Sequence, residues 1–142
     1  MSDEKKNQRE IQQKYLELQL INARSKQIEE HLMILDKQVI ELMGIDQGLS
    51  ELERVKINTK MLIPIANGLF VDGKIENNSD VLVNVGSNVV VRKSMKDAKE
   101  LMKKQIVELQ NYFKAMESEL GSISERGSII QGELIKLSEG QS

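Results

Sequence analysis

The stretch Met61-Leu62-Ile63-Pro64-Ile65-Ala66-Asn67-Gly68-Leu69-Phe70-Val71-Asp72-Gly73-Lys74-Ile75 decides the fold. Two apolar runs, Met61 to Ile65 and Leu69 to Ile75, flank Asn67-Gly68. Both turn residues tolerate φ > 0, so the pattern predicts a tight β-hairpin. Pro64 has no amide hydrogen and is expected where the ladder needs no donor.

A second hairpin is expected just downstream. Val81, Val83 and Val85 alternate with Leu82 and Asn84, and Val89 and Val91 follow Gly86-Ser87-Asn88. The polar run Glu76-Asn77-Asn78-Ser79-Asp80 separates the two hairpins. Two isolated hairpins are marginal in water, so this middle segment, residues 57–93, is expected to complete a sheet with other subunits. Left open, its strand edges would invite uncontrolled pairing.

On the N-terminal side, residues 5–56, the periodicity changes. Alternate steps of three and four residues select Ile11, Lys14, Leu18, Ile21, Ser25, Ile28, Leu32, Leu35, Val39, Leu42, Asp46 and Leu49, of which nine are apolar. A spacing of 3.5 residues sustained over five heptads marks a coiled-coil seam. Gly44 and Gly48 predict a weak stretch within it, since glycine costs about 1 kcal/mol relative to alanine in a helix.

On the C-terminal side, residues 94–138, Ser94-Met95-Lys96-Asp97 has the serine and acidic spacing of a helix start. The seam continues as Met102, Ile106, Leu109, Phe113, Met116, Leu120, Ile123, Gly127, Ile130, Leu134 and Leu137. The two seams match in length. If the middle segment reverses the chain, residue x lies beside about residue 150 − x in an antiparallel hairpin. Leu18 is then expected beside Gly132 and its neighbours Ile130 and Leu134, with both termini at one tip. Each arm would extend on the order of 60 Å. The fold class is mainly α with a small β segment, and residues 1–142 read as a single domain.

Composition supports elongated helices over a thick globule, with aromatics at 3%, no Trp and charged residues at 30%. A net charge of −2 disfavours a nucleic-acid module. Cysteine is absent, which removes disulfides and thiolate chemistry. No signal peptide is expected, and the longest apolar segment is broken at Pro64, Asn67 and Gly68, too short to span a bilayer.

Catalytic signals are weak. Residues Gly68 to Lys74 match G-x-x-x-x-G-K, but Ile75 stands where a magnesium-binding hydroxyl belongs, and the segment reads as strand. A hairpin strand ending in an Asp-Gly turn is the preferred reading. His31 is the single histidine and has no evident metal-binding companions. Charged residues follow the polar helix faces, so no catalytic, cofactor or metal site is expected.

More informative are apolar residues beyond the seam. Tyr15, Leu16 and Leu20 accompany Ile11, Leu18 and Ile21 near one terminus, while Ile129 and Ile135 accompany Ile130, Leu134 and Leu137 near the other. A two-stranded coil buries about two residues per heptad. The surplus predicts an exposed apolar surface where both ends meet, and such surfaces commonly bind partners.

Taken with its flanking helices, the segment Leu62-Ile63-Pro64-Ile65, Gly68 to Ile75, Val81 to Gly86 and Val89 to Val91 resembles prefoldin, the Gim complex, across essentially the whole chain. Two central hairpins and this length are similar to its alpha class, archaeal type. That resemblance implies an ATP-independent chaperone subunit without enzymatic activity, in the cytoplasm. It implies a hetero-hexamer of two alpha and four beta subunits on a β-barrel platform. It further implies capture of unfolded proteins at the coiled-coil tips and transfer to a group II chaperonin. Platform residues would be Ile63, Ile65, Leu69, Val71, Val81, Val83, Val85, Val89 and Val91. Client-binding residues would be Ile11, Tyr15, Leu16, Leu18, Leu20, Ile129, Ile130, Leu134, Ile135 and Leu137. The alternative is a structural coiled-coil adaptor joining defined protein partners. A nucleic-acid arm is disfavoured because Lys103, Lys104 and Arg126 are scattered among acidic neighbours.

Overall fold

The computed structural model describes residues 2–140. Helix α1 spans Ser2–Arg54 and helix α2 spans Met95–Glu139. Between them lie strands β1 (Lys60–Ala66), β2 (Leu69–Lys74), β3 (Asp80–Gly86) and β4 (Val89–Ser94). The chain is mostly helical, with a long helical hairpin and two small antiparallel β-hairpins. It forms two compact units: the residues up to Lys37 with those from Leu109 on, and Gln38–Glu108.

The first unit is an antiparallel helix pair. Every described seam position of the 3–4 pattern in it is buried or half-buried, whereas most positions between are exposed. Ile28 and Ile130 are fully enclosed at 0% exposure. Ile28, Leu35 and Met116 form the centre, packed by Leu32, Leu109, Phe113, Leu120 and Ile123. Lys14 occupies a seam position without an unpaired charge because its ammonium meets Glu133. Gly127 faces α1, where a Cβ would lie 3.4 Å from Ile21 and 3.8 Å from Leu18. Leu18 therefore has Gly127 beside it, and Lys14 meets Glu133, so the register lies a few residues from the one expected. The seam is right, but its axial alignment is set by side-chain interlock and ion pairs that periodicity cannot specify.

In the second unit the two hairpins follow one plan. β1 and β2 pair from Lys60↔Lys74 to Ala66↔Leu69, and β3 and β4 pair from Asp80↔Ser94 to Gly86↔Val89. Every pair of the second hairpin is a pair of the first moved twenty positions along the chain, and the register shift, between Pro64 and Ala66 or between Asn84 and Gly86, recurs too. That bulge leaves Ile65 and Val85 as the extra residues, a device that increases local twist.

The turns differ in chemistry. Gly68 supplies the positive φ (81°) in the first, whereas Ser87 (49°) and Asn88 (60°) both adopt it in the second. Asp72-Gly73 is not a turn. It lies inside β2, where Asp72 pairs with Leu62 and Gly73 with Met61. A Cβ at Gly73 would collide with Ile63 Cδ1, so this glycine makes room for a neighbouring strand's side chain.

Residues 75–80 clasp the helix ends. The Asn78 side-chain amide donates to the carbonyls of Val55 (2.7 Å) and Glu53 (3.2 Å), at the C-terminal end of α1. Asn77 Oδ1 accepts from the Ser79 amide (2.8 Å) and hydroxyl (2.7 Å), and the Ser79 carbonyl accepts from the Met95 amide (2.7 Å). Ser94 Oγ then accepts from the Asp97 amide (3.1 Å) and caps α2, as its sequence predicts. Ile75, Met95 and Ala98 are the buried apolar residues here. Lys99 pairs with Glu53, joining the two helices within this unit.

Candidate functional site

Two groups of exposed apolar residues stand out, while others, among them Met33, Ile34, Ile40 and Tyr112, are exposed singly along the helices. The first is the hairpins. Strands buried on one face alternate apolar and polar residues, whereas those buried on both read as continuous apolar runs. Stretches of the second kind occur in every strand: Met61 to Ala66 in β1, Leu69-Phe70-Val71 in β2, Val81-Leu82-Val83 in β3 and Val89-Val90-Val91 in β4. Met61, Ile63 and Val71 project from one side of the first hairpin and Val91 from one side of the second, with Val81 and Val83 partly covered. From the other side of each project Leu62 and Phe70 in the first, with Leu62 at 65% exposure, and Leu82 and Val90 in the second. Past the bulge, Ile65, Leu69, Val85 and Val89 are open as well.

Leu62, Phe70, Leu82 and Val90 were not singled out by the alternation argument, which follows only one face. Their signal is the missing polar residue: in Leu69-Phe70-Val71 and Val89-Val90-Val91 no position is polar.

The second group lies in the helix pair near the termini. Tyr15, Leu16, Leu20 (64%), Ile129 and Ile135 are exposed. Ile11, Leu18 and Leu137 are half-buried in the seam, and Ile130 and Leu134 are buried. In the folded helix pair the last two give their surface to the seam. The outward set is therefore smaller than the sequence cluster.

Spacing determines where that set points. Leu16 and Leu20 each lie two residues from the seam residue Leu18, about 200° around α1. Ile129 lies two residues beyond Gly127, and Ile135 two before Leu137, so both sit on the outer face of α2. The two groups share the terminal end of the helix pair and stand back to back, one on each helix.

Between them the seam is edged by ion pairs. Glu17 accepts from Arg126 at 3.0 and 3.4 Å, and Glu119 from Arg24 at 2.9 and 3.1 Å. The hydrogen bond from Lys14 holds the Glu133 carboxyl below its ordinary value, against partial desolvation that raises it. Hydrogen bonding and the charge of Glu17 raise Arg126.

Residues Gly68 to Ile75 have no phosphate-loop geometry, because six of them are the paired strand β2. Their amides are arranged along a ladder and do not converge at a helix N-terminus. His31 is exposed on α1. No described helix is long and apolar enough to cross a membrane.

Comparison with known proteins gives a consistent result. The prefoldin subunit family model matches residues 5–137. Prefoldin subunit alpha of Archaeoglobus fulgidus is 26% identical over 128 residues, covering 90% of this chain and 93% of that protein. Prefoldin subunit alpha of Methanococcus vannielii is 23% identical over 127 residues, covering 89% and 85%. The fold is similar to that of filamentous PFD from Methanocaldococcus jannaschii, solved by cryo-electron microscopy, with a TM-score of 0.75 at 18% identity. That alignment covers 84% of this chain and 98% of the other.

Proposed function

The chain belongs to the prefoldin family, and on that premise we propose that it is an alpha-class chaperone subunit that assembles through its hairpins and holds non-native polypeptide on its terminal apolar faces. The observation that carries this reading is apolar exposure on both sides of both hairpins. Two-stranded sheets with two uncovered apolar faces are not an end state in water. Each buried Å² contributes roughly 25 cal/mol, so association is the available way to remove that surface from solvent. The expected assembly is two such chains with four beta-class subunits around a β-barrel, within one prefoldin-like domain per chain.

Holding follows from a different property. A face built on Leu16 and Leu20, or on Ile129 and Ile135, is small, and its gain is offset by the ordering cost of the captured chain. Several subunits presenting such faces bind one unfolded chain by multivalency, while each contact stays exchangeable. Release to a group II chaperonin then needs only competition for the same segments, with no ATP hydrolysis in this chain. The setting is the cytoplasm of an archaeon.

The test separates assembly from capture. Leu16→Ser, Leu20→Ser, Ile129→Ser and Ile135→Ser are combined in the full chain, sparing the seam. Native mass spectrometry with beta-class partners is expected to give an unchanged hexamer. Suppression of aggregation of several unrelated denatured proteins is expected to be lost. Unchanged suppression would overturn the placement of capture, and a wild-type chain that binds one defined partner and protects no denatured protein would identify an adaptor.

A further inference from the structure

The outward face of α1 between residues 5 and 27 carries a charge asymmetry that the seam does not require. Counting from the seam, its outward positions include Lys5, Lys6, Arg9 and Lys26, with Leu16 and Leu20 between them. All six are exposed, and the other outward positions in this span are glutamine or alanine. No acidic residue takes one of these outward positions until Glu30, although Glu10 and Glu29, which flank the seam, are exposed.

Acidic residues are present in the same span, but elsewhere around the helix. Glu17 faces α2 and is engaged by Arg126, as Glu133 and Glu119 of α2 are engaged by Lys14 and Arg24. Lys5, Lys6, Arg9 and Lys26 make no ion pair among the described residues. The chain as a whole has a net charge of −2, so this local excess of four positive charges runs against its overall balance.

We infer that this face of α1 docks an acidic polypeptide segment whose apolar side chains recur at helical spacing. Leu16 and Leu20, four residues apart on one helix face, match such a segment as anchors. The flanking cations select its charge and speed its encounter. Glutamine amides between them can serve either as donors or as acceptors to a peptide. An anionic membrane is the poorer fit. A helix lying on lipid buries a broad apolar face, whereas the seam face of this span of α1 is covered by α2, leaving Tyr15, Leu16 and Leu20 as its exposed large apolar residues. The inference deepens the holding function by giving the α1 face a preferred class of segment, and it can fail while holding itself stands.

The experiment uses the full-length protein and two fluorescent helix-forming peptides. One places leucines four apart among glutamates, and its twin has lysine at every glutamate. By fluorescence anisotropy at low salt, the acidic peptide is expected to bind about tenfold more tightly than the basic twin, with the gap narrowing at high salt. In the Lys5→Glu, Lys6→Glu, Arg9→Glu variant the preference is expected to vanish or reverse, with helix content unchanged by circular dichroism. Suppression of aggregation of a near-neutral denatured protein is expected to persist in that variant. Lys103→Glu with Lys104→Glu, on α2, is expected to leave the preference intact. Equal binding of the twins, or a preference that survives the α1 charge reversal, would overturn the inference. So would binding of phosphatidylglycerol vesicles with no binding of either peptide.

Discussion

Asn78 is the residue on which the entry and exit of the hairpin segment most directly depend. One side-chain amide satisfies two carbonyls near the end of α1, where helix termini leave such groups without intrahelical partners. Asn78→Ala is expected to cost about 1–2 kcal/mol in chemical denaturation. A variant as stable as the parent would mean that water caps α1 equally well. Glu133 makes a different prediction. Its carboxyl is held below the ordinary value of 4.5 in the folded state by Lys14. Its contribution is therefore complete above that value and is lost as pH falls through the lower, folded one. Thermal stability of wild type is expected to drop more steeply on acidification below pH 4.5 than that of Glu133→Gln. Parallel pH profiles would remove Glu133 from the account. Neither partnership was legible in the sequence, where Asn78 is one of several polar turn residues and Glu133 one of many charges on a helix face. Both are tertiary contacts between positions far apart in the chain.

Among the elements, α1 stays helical through Gly44 and Gly48, where a weak stretch is expected from sequence. A Cβ at Gly44 or Gly48 would meet nothing within 4 Å, so neither glycine is required by packing. Asp46 occupies a seam position between them, and its Oδ1 is buried without a hydrogen-bond partner. A buried unpaired acceptor is destabilising, and each glycine adds its own cost. Gly44→Ala and Gly48→Ala are each expected to raise stability by roughly 0.5–1 kcal/mol and to slow amide hydrogen exchange in this stretch. A loss of stability would show that the helix needs backbone freedom there. The hairpins raise a separate point. Their turns were readable from Asn67-Gly68 and Gly86-Ser87-Asn88, but their common plan was not. The matched register and bulge twenty positions apart rest on backbone geometry that few shared side chains betray.

For the whole molecule, the expectation is that stability and assembly are separable. Polar substitution of Val83 and Val85 is expected to disperse the oligomer in native mass spectrometry while helix content changes little. An unchanged oligomer would refute assembly through the hairpins. Leu82→Ser with Val90→Ser probes the opposite face of the same hairpin, and a partial assembly from either pair alone would show that both faces are used. The amino-acid sequence alone determined the element order, the two seams, both hairpins and the apolar surplus near the termini. Each is written in local periodicity or turn chemistry, which depends only on neighbouring residues. The tertiary structure decided the axial register that sets Leu18 beside Gly127 and the capping of α1 by Asn78. Those outcomes depend on which side chains meet across the seam, and periodicity says that two stripes will pack without saying how far one slides along the other.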